Sequence, residues 1–574
     1  MVTPNAWING SGDASGWGAE VTESKWAGGD NSSVARPPAH DRRAGFNRQV
    51  DPPRFSLGFG EPPEPKIGNR FQNHSHPHGS DADWEPPRRA GFGEGPGASR
   101  QHMSFGREPL GGHRPRFSNN NNGFPRPGAS SFVPVDQSVE ELYEEDHENV
   151  QDDQWDTDDI VFENGSEPHD FKPALTWKEA DFPAQLAANI ERCGYPRPRK
   201  IQAYAMPLVE HDYDIMGQAE TGSGKSAAFL LPIIKDCMLK PKKDDLLPGA
   251  PTAIVICPTR ELVVQLYDQG RKFANGCNVH VQRAYGEYRV AENARQIRMG
   301  CDILIATVGR LKHFIENETV KFDNLRYLVL DEADNLIETN HFDGIIQIIR
   351  CPDFPKNNNR QTLLFSATFS NEVELIASKI LRADRKVVIS NNKKTSANTK
   401  IKQEFREVKR QAKTMELLKI LQKEHEETGT NKRTIIFVQT KRQTDVIAAF
   451  LTMNKVRATT IHGDRSQQLR EEALRDFKDK TRILVATDVC ARGLDIRDLD
   501  HVINYDLPDD KLTYVHRIGR SGRTRAGLAT SFYDPAGNDS HIASELIKAA
   551  MEAKQKVPKS LAEEVGELSL EDAQ

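Results

Sequence analysis

The sequence predicts an α/β protein: two tandem doubly wound parallel-sheet lobes behind a long, disordered N-terminal tail. Three observations carry this. Short apolar strands alternate with helical segments after Lys172, a polar stretch interrupts that rhythm near residue 390, and aliphatic residues are sparse before residue 170.

Residues 1–170 read as the tail. They are rich in Gly, Pro, Asn, Ser and Arg, too poor in aliphatic side chains to offset the entropy of an ordered chain. Five of the six tryptophans lie here (Trp7, Trp17, Trp26, Trp84, Trp155). Phenylalanine recurs beside glycine in LGFG (57–60), AGFG (90–93) and SFGR (104–107), and RAGF occurs at 43–46 and 89–92. Spaced aromatics and arginines suit many weak stacking and cation–π contacts, with RNA or with other copies of the chain. From Asp136 to Asp170 there are 15 acidic residues and no Lys or Arg, a composition expected of a solvated spacer.

Lobe 1 is expected over 171–390, with strands at AIVICPT (253–259), DILIAT (302–307), YLVLDE (327–332) and LLFSAT (363–368). SNNKKTSANTKIK (390–402) is a polar joint, assigned as a linker over 391–403. Lobe 2 is expected over 404–557, with TIIFVQT (434–440), ATTIHGD (458–464), RILVATD (482–488) and HVINYDL (501–507), before an acidic C-terminal tail at 558–574. Each strand ends in polar residues, and ligands of such sheets bind at the carboxyl ends of strands. Up to Asp170 the chain holds 15 Lys/Arg against 28 Asp/Glu; beyond it, 62 against 55. That excess of positive charge suits a polyanionic partner. The seven cysteines lie singly between Cys193 and Cys490 without CxxC spacing, which predicts reduced thiols and no zinc site. With no apolar run long enough to span a bilayer, the expectation is a soluble intracellular protein without a membrane partner.

The chemistry gathers at strand ends. AETGSGKS (219–226) fits a phosphate-binding loop of Ala219, Glu220, Thr221, Gly222, Ser223, Gly224, Lys225 and Ser226, though Ala219 stands where the pattern has glycine. Lys225 would meet the β/γ oxygens and Ser226 a Mg²⁺ ion. About a hundred residues later YLVL runs into Asp331, Glu332 and Asp334, an acid cluster that is expensive to bury unpartnered. Asp331 suits the water shell of Mg²⁺ on a nucleoside triphosphate, and Glu332 suits a base for the attacking water.

DEAD at 331–334 brings a resemblance into view. The chain resembles the DEAD-box ATP-dependent RNA helicases, most like their Vasa/Belle branch, with motifs in family order across residues 177–523. The resemblance implies two RecA-like lobes, ATP and Mg²⁺ as cofactors, and RNA bound through backbone and ribose. It implies that Gln202 of GYPRPRKIQ (194–202) recognises adenine, that Trp177 stacks on the base, and that Asp495 meets the ribose. Thr259 and Arg260 of PTREL, with Thr307, Gly309 and Arg310 of TVGR, would bind RNA from lobe 1. Gln439, Thr440, Gln467, Arg470, Thr487 and Arg492 would do so, or face the cleft, from lobe 2. Asp334, Ser366, Thr368 and Arg517 would couple the acids to closure. In YVHRIGRSGR (514–523), Arg520 and Arg523 resemble arginine fingers, and His516 would bridge to the acids.

The chain also departs from the family pattern. Glu220 stands for glutamine, Ser226 for threonine, Arg199 and Lys200 for Thr/Ser-Pro, Glu287 for the second glycine of a pair, Val308 for proline, and Asn335 for a basic residue. Lys200 is read as an offset to Glu220. The functional expectation is an RNA-dependent ATPase that locally remodels RNA duplexes. Its alternative is an ATP-gated RNA clamp or condensate scaffold with slow turnover, the departures favouring the latter modestly. A DNA helicase is a third reading. The tail and the branch suggest cytoplasmic, perinuclear or germ ribonucleoprotein granules and their proteins, with the nucleus as a further location.

Overall fold

The computed structural model describes residues 130–147, 159–219, 222–240, 248–391, 400–488, 499–522, 526–534, 536–557 and 561. The Phe-Gly and arginine repeats, Trp155 and nearly all of the acidic C-terminal tail lie outside them.

Lobe 1 is an eight-stranded sheet in the order β1-β8-β2-β7-β6-β3-β5-β4. Its strands are β1 (Ile160–Phe162), β2 (Asp214–Gln218), β3 (Ala253–Cys257), β4 (Val281–Ala284), β5 (Ile303–Thr307), β6 (Tyr327–Leu330), β7 (Gln361–Ser366) and β8 (Lys386–Asn391). All pairs are parallel except β1 on β8. Helices cover both faces, so the strands are apolar on both sides rather than alternating. Val255, Val329 and Phe365 enter one core cluster while Ile254, Leu328 and Leu364 enter the other.

Lobe 2 is a six-stranded, wholly parallel sheet in the order β11-β12-β10-β13-β14-β9. It consists of β9 (Ile401–Glu407), β10 (Thr434–Phe437), β11 (Thr459–Ile461), β12 (Ile483–Ala486), β13 (His501–Asn504) and β14 (Gly527–Tyr533). β9 begins at Ile401, inside the stretch read as linker, because it pairs along its whole length with β14.

Register places the chemistry. Gln218 of β2 pairs with Ser366 of β7, Leu330 of β6 with Leu364 of β7 and with Ile256 of β3, and Cys257 of β3 with Thr307 of β5. The carboxyl ends of five strands therefore lie side by side. The loop leaving β2 continues this alignment, with Ala219 N–H donating to Ser366 O at 3.0 Å.

The stretch expected to be a solvated acidic spacer is partly built into the fold. Val139–His147 is helical, opened by a reciprocal cap in which Ser138 Oγ accepts from Glu141 N–H and Glu141 accepts from Ser138 N–H. Leu142 and Tyr143 are buried, and Tyr143 donates to Lys272 O at 2.7 Å. Before the helix, Asp136 pairs with the buried Arg283; at its end, Glu145 reaches across to Lys478 of lobe 2 at 2.8 Å. β1 then adds an antiparallel edge to β8. Asp136 and Glu145 thus have partners distant in sequence, which is why composition alone suggested a spacer. Asp136→Ala should leave Arg283 buried without its carboxylate and cost about 1–2 kcal/mol, since Asp136 itself is partly exposed. Urea unfolding of the two forms measures it.

Candidate nucleotide site and interlobe surface

The loop after β2 turns through Gly222 (φ 83°) and Gly224 (φ 92°) before the helix Lys225–Leu239 begins. Positive φ at both is what glycine permits. A Cβ on Gly224 would lie 2.4 Å from Gln202 Nε2, so the side chain of Gln202 packs directly on the loop. Gln202 donates to Gly224 O at 3.1 Å and accepts from Arg199 N–H at 2.8 Å. These bonds use one N–H and one lone pair of the Gln202 amide, which carries two of each, so adenine recognition requires neither to be given up. Arg199 Nη1 donates to Gly222 O at 2.7 Å, giving the loop a guanidinium support, whereas Lys200 reaches Asp159 at 3.1 Å. Trp177 donates to Tyr195 O at 2.8 Å and packs against Phe182 with partial exposure.

Lys225 is buried and its Nζ donates to Ala219 O at 2.9 Å. Ser226 beside it is half-buried, and Ser223 Oγ is buried without a partner. Across the sheet, Asp331 is 3% exposed. Burial raises its pKa to about 7; Lys225 opposes that rise, while Glu332 and Asp334 add to it. Glu332 sits in the left-handed region at φ 52° and opens the helix Ala333–Glu338. Its Oε2 accepts from Asn335 Nδ2 at 2.9 Å, which fixes the direction of the carboxylate. Asp334 turns the other way, accepting from Ala367 N–H, Thr368 N–H and Thr368 Oγ1, and its own N–H donates to Ser366 Oγ at 3.3 Å.

These features fit a metal–triphosphate: a loop that lets backbone approach, an ammonium bonded to a carbonyl, a buried hydroxyl with no hydrogen-bond partner among the described residues, and a carboxyl driven toward neutrality by burial. Lys225, Ser226 and Asp331 are the groups that would hold phosphate and Mg²⁺.

The RNA candidates of lobe 1 lie at neighbouring strand ends. Thr259 caps the helix Arg260–Phe273 by accepting from Leu262 N–H, a structural use of its hydroxyl. Thr307 precedes the helix Val308–Glu316 without making such a cap, and Gly309 faces open space. Arg310 donates to Tyr288 O at 2.9 Å and to Asn293 at 3.3 Å. Burial, then the neighbouring Arg260, pulls the pKa of Arg310 down.

In lobe 2, Gln467 and Arg470 lie on the helix Gln467–Asp479 and touch lobe 1. Arg470 pairs with the buried Glu261 at 2.7 Å, Gln467 donates to Glu261 at 3.4 Å, and Tyr285 donates to Glu471 at 2.9 Å. Gln439 N–H donates to Asp506, and Thr440 caps the helix Lys441–Met453. Thr487 is buried at the end of β12, its N–H donating to Ile461 O at 3.4 Å. Arg517 is engaged within its own lobe, bidentate on Asp488 and donating to Asp506 O at 2.7 Å. His516 lies on the helix Lys511–Ile518, and the buried Arg520 follows it. Glu220, Thr221, Arg492, Asp495 and Arg523 lie outside the described residues.

A family profile described as DEAD/DEAH box helicase matches residues 199–376, and one described as helicase conserved C-terminal domain matches 412–525. The chain belongs to the DEAD-box helicase family. Relatives of this chain include ATP-dependent RNA helicase glh-3 of Caenorhabditis elegans, 40% identical over 78% of this chain and 64% of that protein. ATP-dependent RNA helicase DDX4 of Mus musculus is 41% identical over 69% of this chain and 56% of its own length. The chain therefore spans less than two thirds of the curated relatives it matches. Among solved structures, S. cerevisiae Dbp5 bound to RNA and ADP BeF3 superposes with a TM-score of 0.57 at 26% identity, covering 68% of this chain and 98% of that one.

Three residues of this DEAD-box chain matter more to the geometry than the sequence reading allowed. Glu261 joins PTREL to the lobe 2 helix through Arg470 and Gln467; its signal was an acid directly beside Arg260. Asn335 and Arg199, read only as departures, orient Glu332 and support the loop. The raised pKa of Asp331 has a thermodynamic sign. A carboxyl that holds its proton more tightly when folded contributes stability at low pH, which is lost as pH rises from the usual aspartate range near 3.8 toward 7. Asp331→Asn should therefore raise the thermal midpoint at pH 8, measured calorimetrically without nucleotide, and the gain should vanish near pH 4.

Proposed function

We propose that the chain is an RNA-dependent ATPase that binds RNA through its backbone and locally remodels or unwinds short duplexes and ribonucleoproteins. The observation that carries this is the buried Asp331–Glu332 pair at the end of β6, facing a glycine loop with Lys225, within a two-lobed fold. The names of the relatives and the RNA and ADP BeF3 of the Dbp5 structure support the same reading.

In this account Lys225 holds the terminal phosphates, Ser226 and Asp331 hold Mg²⁺, and Glu332 takes the proton of the attacking water. Mg²⁺, when bound, neutralises charge on the triphosphate. Asn335 keeps the Glu332 carboxylate pointed, and Asp334 carries the state of the site through the backbone of Ala367 and Thr368. Arg520 and Arg523 of lobe 2 complete the site by meeting phosphoryl charge, with His516 bridging to the acids. RNA lies along Arg260, Thr307, Gly309 and Arg310 on one lobe and Gln439, Thr440, Thr487 and Arg492 on the other. Granule proteins are the proposed partners of the tail, in cytoplasmic or germ ribonucleoprotein granules. Among the described residues no helix is long and apolar enough to cross a membrane.

Single-turnover hydrolysis with and without RNA tests the proposal. RNA should stimulate it, and Glu332→Gln should slow the stimulated step by about 10²–10⁴-fold, the usual weight of a positioned base. Asn335→Leu should slow it by about 10–100-fold through misorientation, with little change in KM for ATP. Tight ATP-dependent RNA retention with little turnover would favour the clamp reading instead. Stimulation by DNA equal to that by RNA would contradict RNA recognition through the 2′-hydroxyl.

A further inference from the structure

The turn between β4 and the helix Val290–Met299 carries an acid where backbone geometry favours glycine. Glu287 sits at φ 67°, a left-handed conformation that glycine adopts freely and a residue with a Cβ does not. Its carboxylate joins the lobes. Oε1 accepts from Arg260 Nη1 at 2.5 Å, and Oε2 accepts at 2.8 Å from the backbone N–H of Gln467, the first residue of the lobe 2 helix Gln467–Asp479. Arg260 also reaches Gln467 Oε1 at 3.5 Å.

The surroundings are organised around this bridge. The Arg260 guanidinium lies against Gly286, where a Cβ would come within 2.9–3.1 Å of three of its atoms. Tyr288 O, one residue after Glu287, accepts from Arg310. A single turn thus engages both lobe 1 arginines that the RNA reading assigns to RNA, Arg260 and Arg310. Burial pushes the pKa of Glu287 up, but hydrogen bonds from Arg260 and Gln467 and the charges of Arg260 and Arg470 more than offset it. The net direction is down, so the group is anionic at neutral pH.

A guanidinium together with an N–H at a helix N-terminus is the donor set that receives a phosphate. A carboxylate offers that set a negative charge and two acceptor oxygens, as a phosphodiester does. We propose that Glu287 is an internal stand-in for an RNA phosphate: it fills the Arg260–helix site when RNA is absent, ties the lobes together there, and must be displaced for a backbone phosphate to enter. This rests on the RNA-binding reading above. Its consequence is selective: an RNA must compete with a tethered anion, so short or weakly held strands are rejected, and part of lobe closure is RNA-independent.

The test compares the full-length chain with Glu287→Gln, which removes the charge, and Glu287→Gly, which also relieves the backbone. The first readout is anisotropy of a fluorescent single-stranded oligouridylate with AMP-PNP and Mg²⁺ over a salt series. The second is fluorescence energy transfer between dyes on the two lobes with AMP-PNP but no RNA. Both variants should bind RNA about 5-fold or more tightly, with a salt slope steeper by about 0.7, one added phosphate contact on a single strand. Both should show less RNA-independent closure than the unaltered chain. Unchanged or weaker RNA binding by the variants, while the unaltered chain binds RNA, overturns the inference alone. Tighter binding with RNA-free closure unchanged also overturns it, because simple charge repulsion would then suffice. An unaltered chain that binds no RNA overturns the RNA reading and this inference with it.

Discussion

A carboxyl buried at the end of β6 is the constraint on which the site depends. Asp331 is nearly inaccessible, and its pKa is raised to about 7 chiefly by burial, with Lys225 only partly opposing the rise. Keeping such a group disfavours the charged form in the free protein. The same cost makes the group responsive, because a bound cation gains most where water contributes least. Around it the chain holds further local strain in Glu332, which lies in the left-handed region. Strain of this kind persists where surrounding structure enforces it, here the register of β7, β6 and β3.

The contacts described between the lobes are mainly polar. Glu261 with Arg470, Tyr285 with Glu471, Glu145 with Lys478, and Glu287 with Gln467 are charge pairs or charge-assisted hydrogen bonds. The more exposed of them are each worth only about 0–1 kcal/mol. Buried Glu261–Arg470 is the exception, because losing one partner strands the other's charge. A polar interface of this kind suits lobes that close and open with ligand, whereas a continuous apolar one would hold them together.

The two sheets were legible because parallel strands covered on both faces leave unmistakable apolar runs, as AIVIC and YLVL do, and because each run ends in a polar residue at the same edge. The loop and the acids were legible because their chemistry has few alternatives at that spacing. What escaped notice was non-local. Ser138-x-x-Glu141 is a capping signal in plain view, but Asp136 and Glu145 acquire meaning only from Arg283 and Lys478, far along the chain. Asn335 and Arg199 looked like defects against a family pattern; their roles follow from where Glu332 and Gly222 O come to lie. Thr259 and Thr440 show the opposite case, where hydroxyls assigned to RNA are used at helix caps.

The central claim is that Asp331 is held partly protonated until a metal–nucleotide arrives. Proton release on Mg–nucleotide binding tests it most directly, by titration calorimetry in buffers of differing ionisation enthalpy at pH 7. The account predicts net proton release, as expected for a carboxyl whose pKa is raised by burial and that becomes fully ionised. It also predicts that Asp331→Asn abolishes that release. Binding without proton release, or release that survives Asp331→Asn, would contradict it.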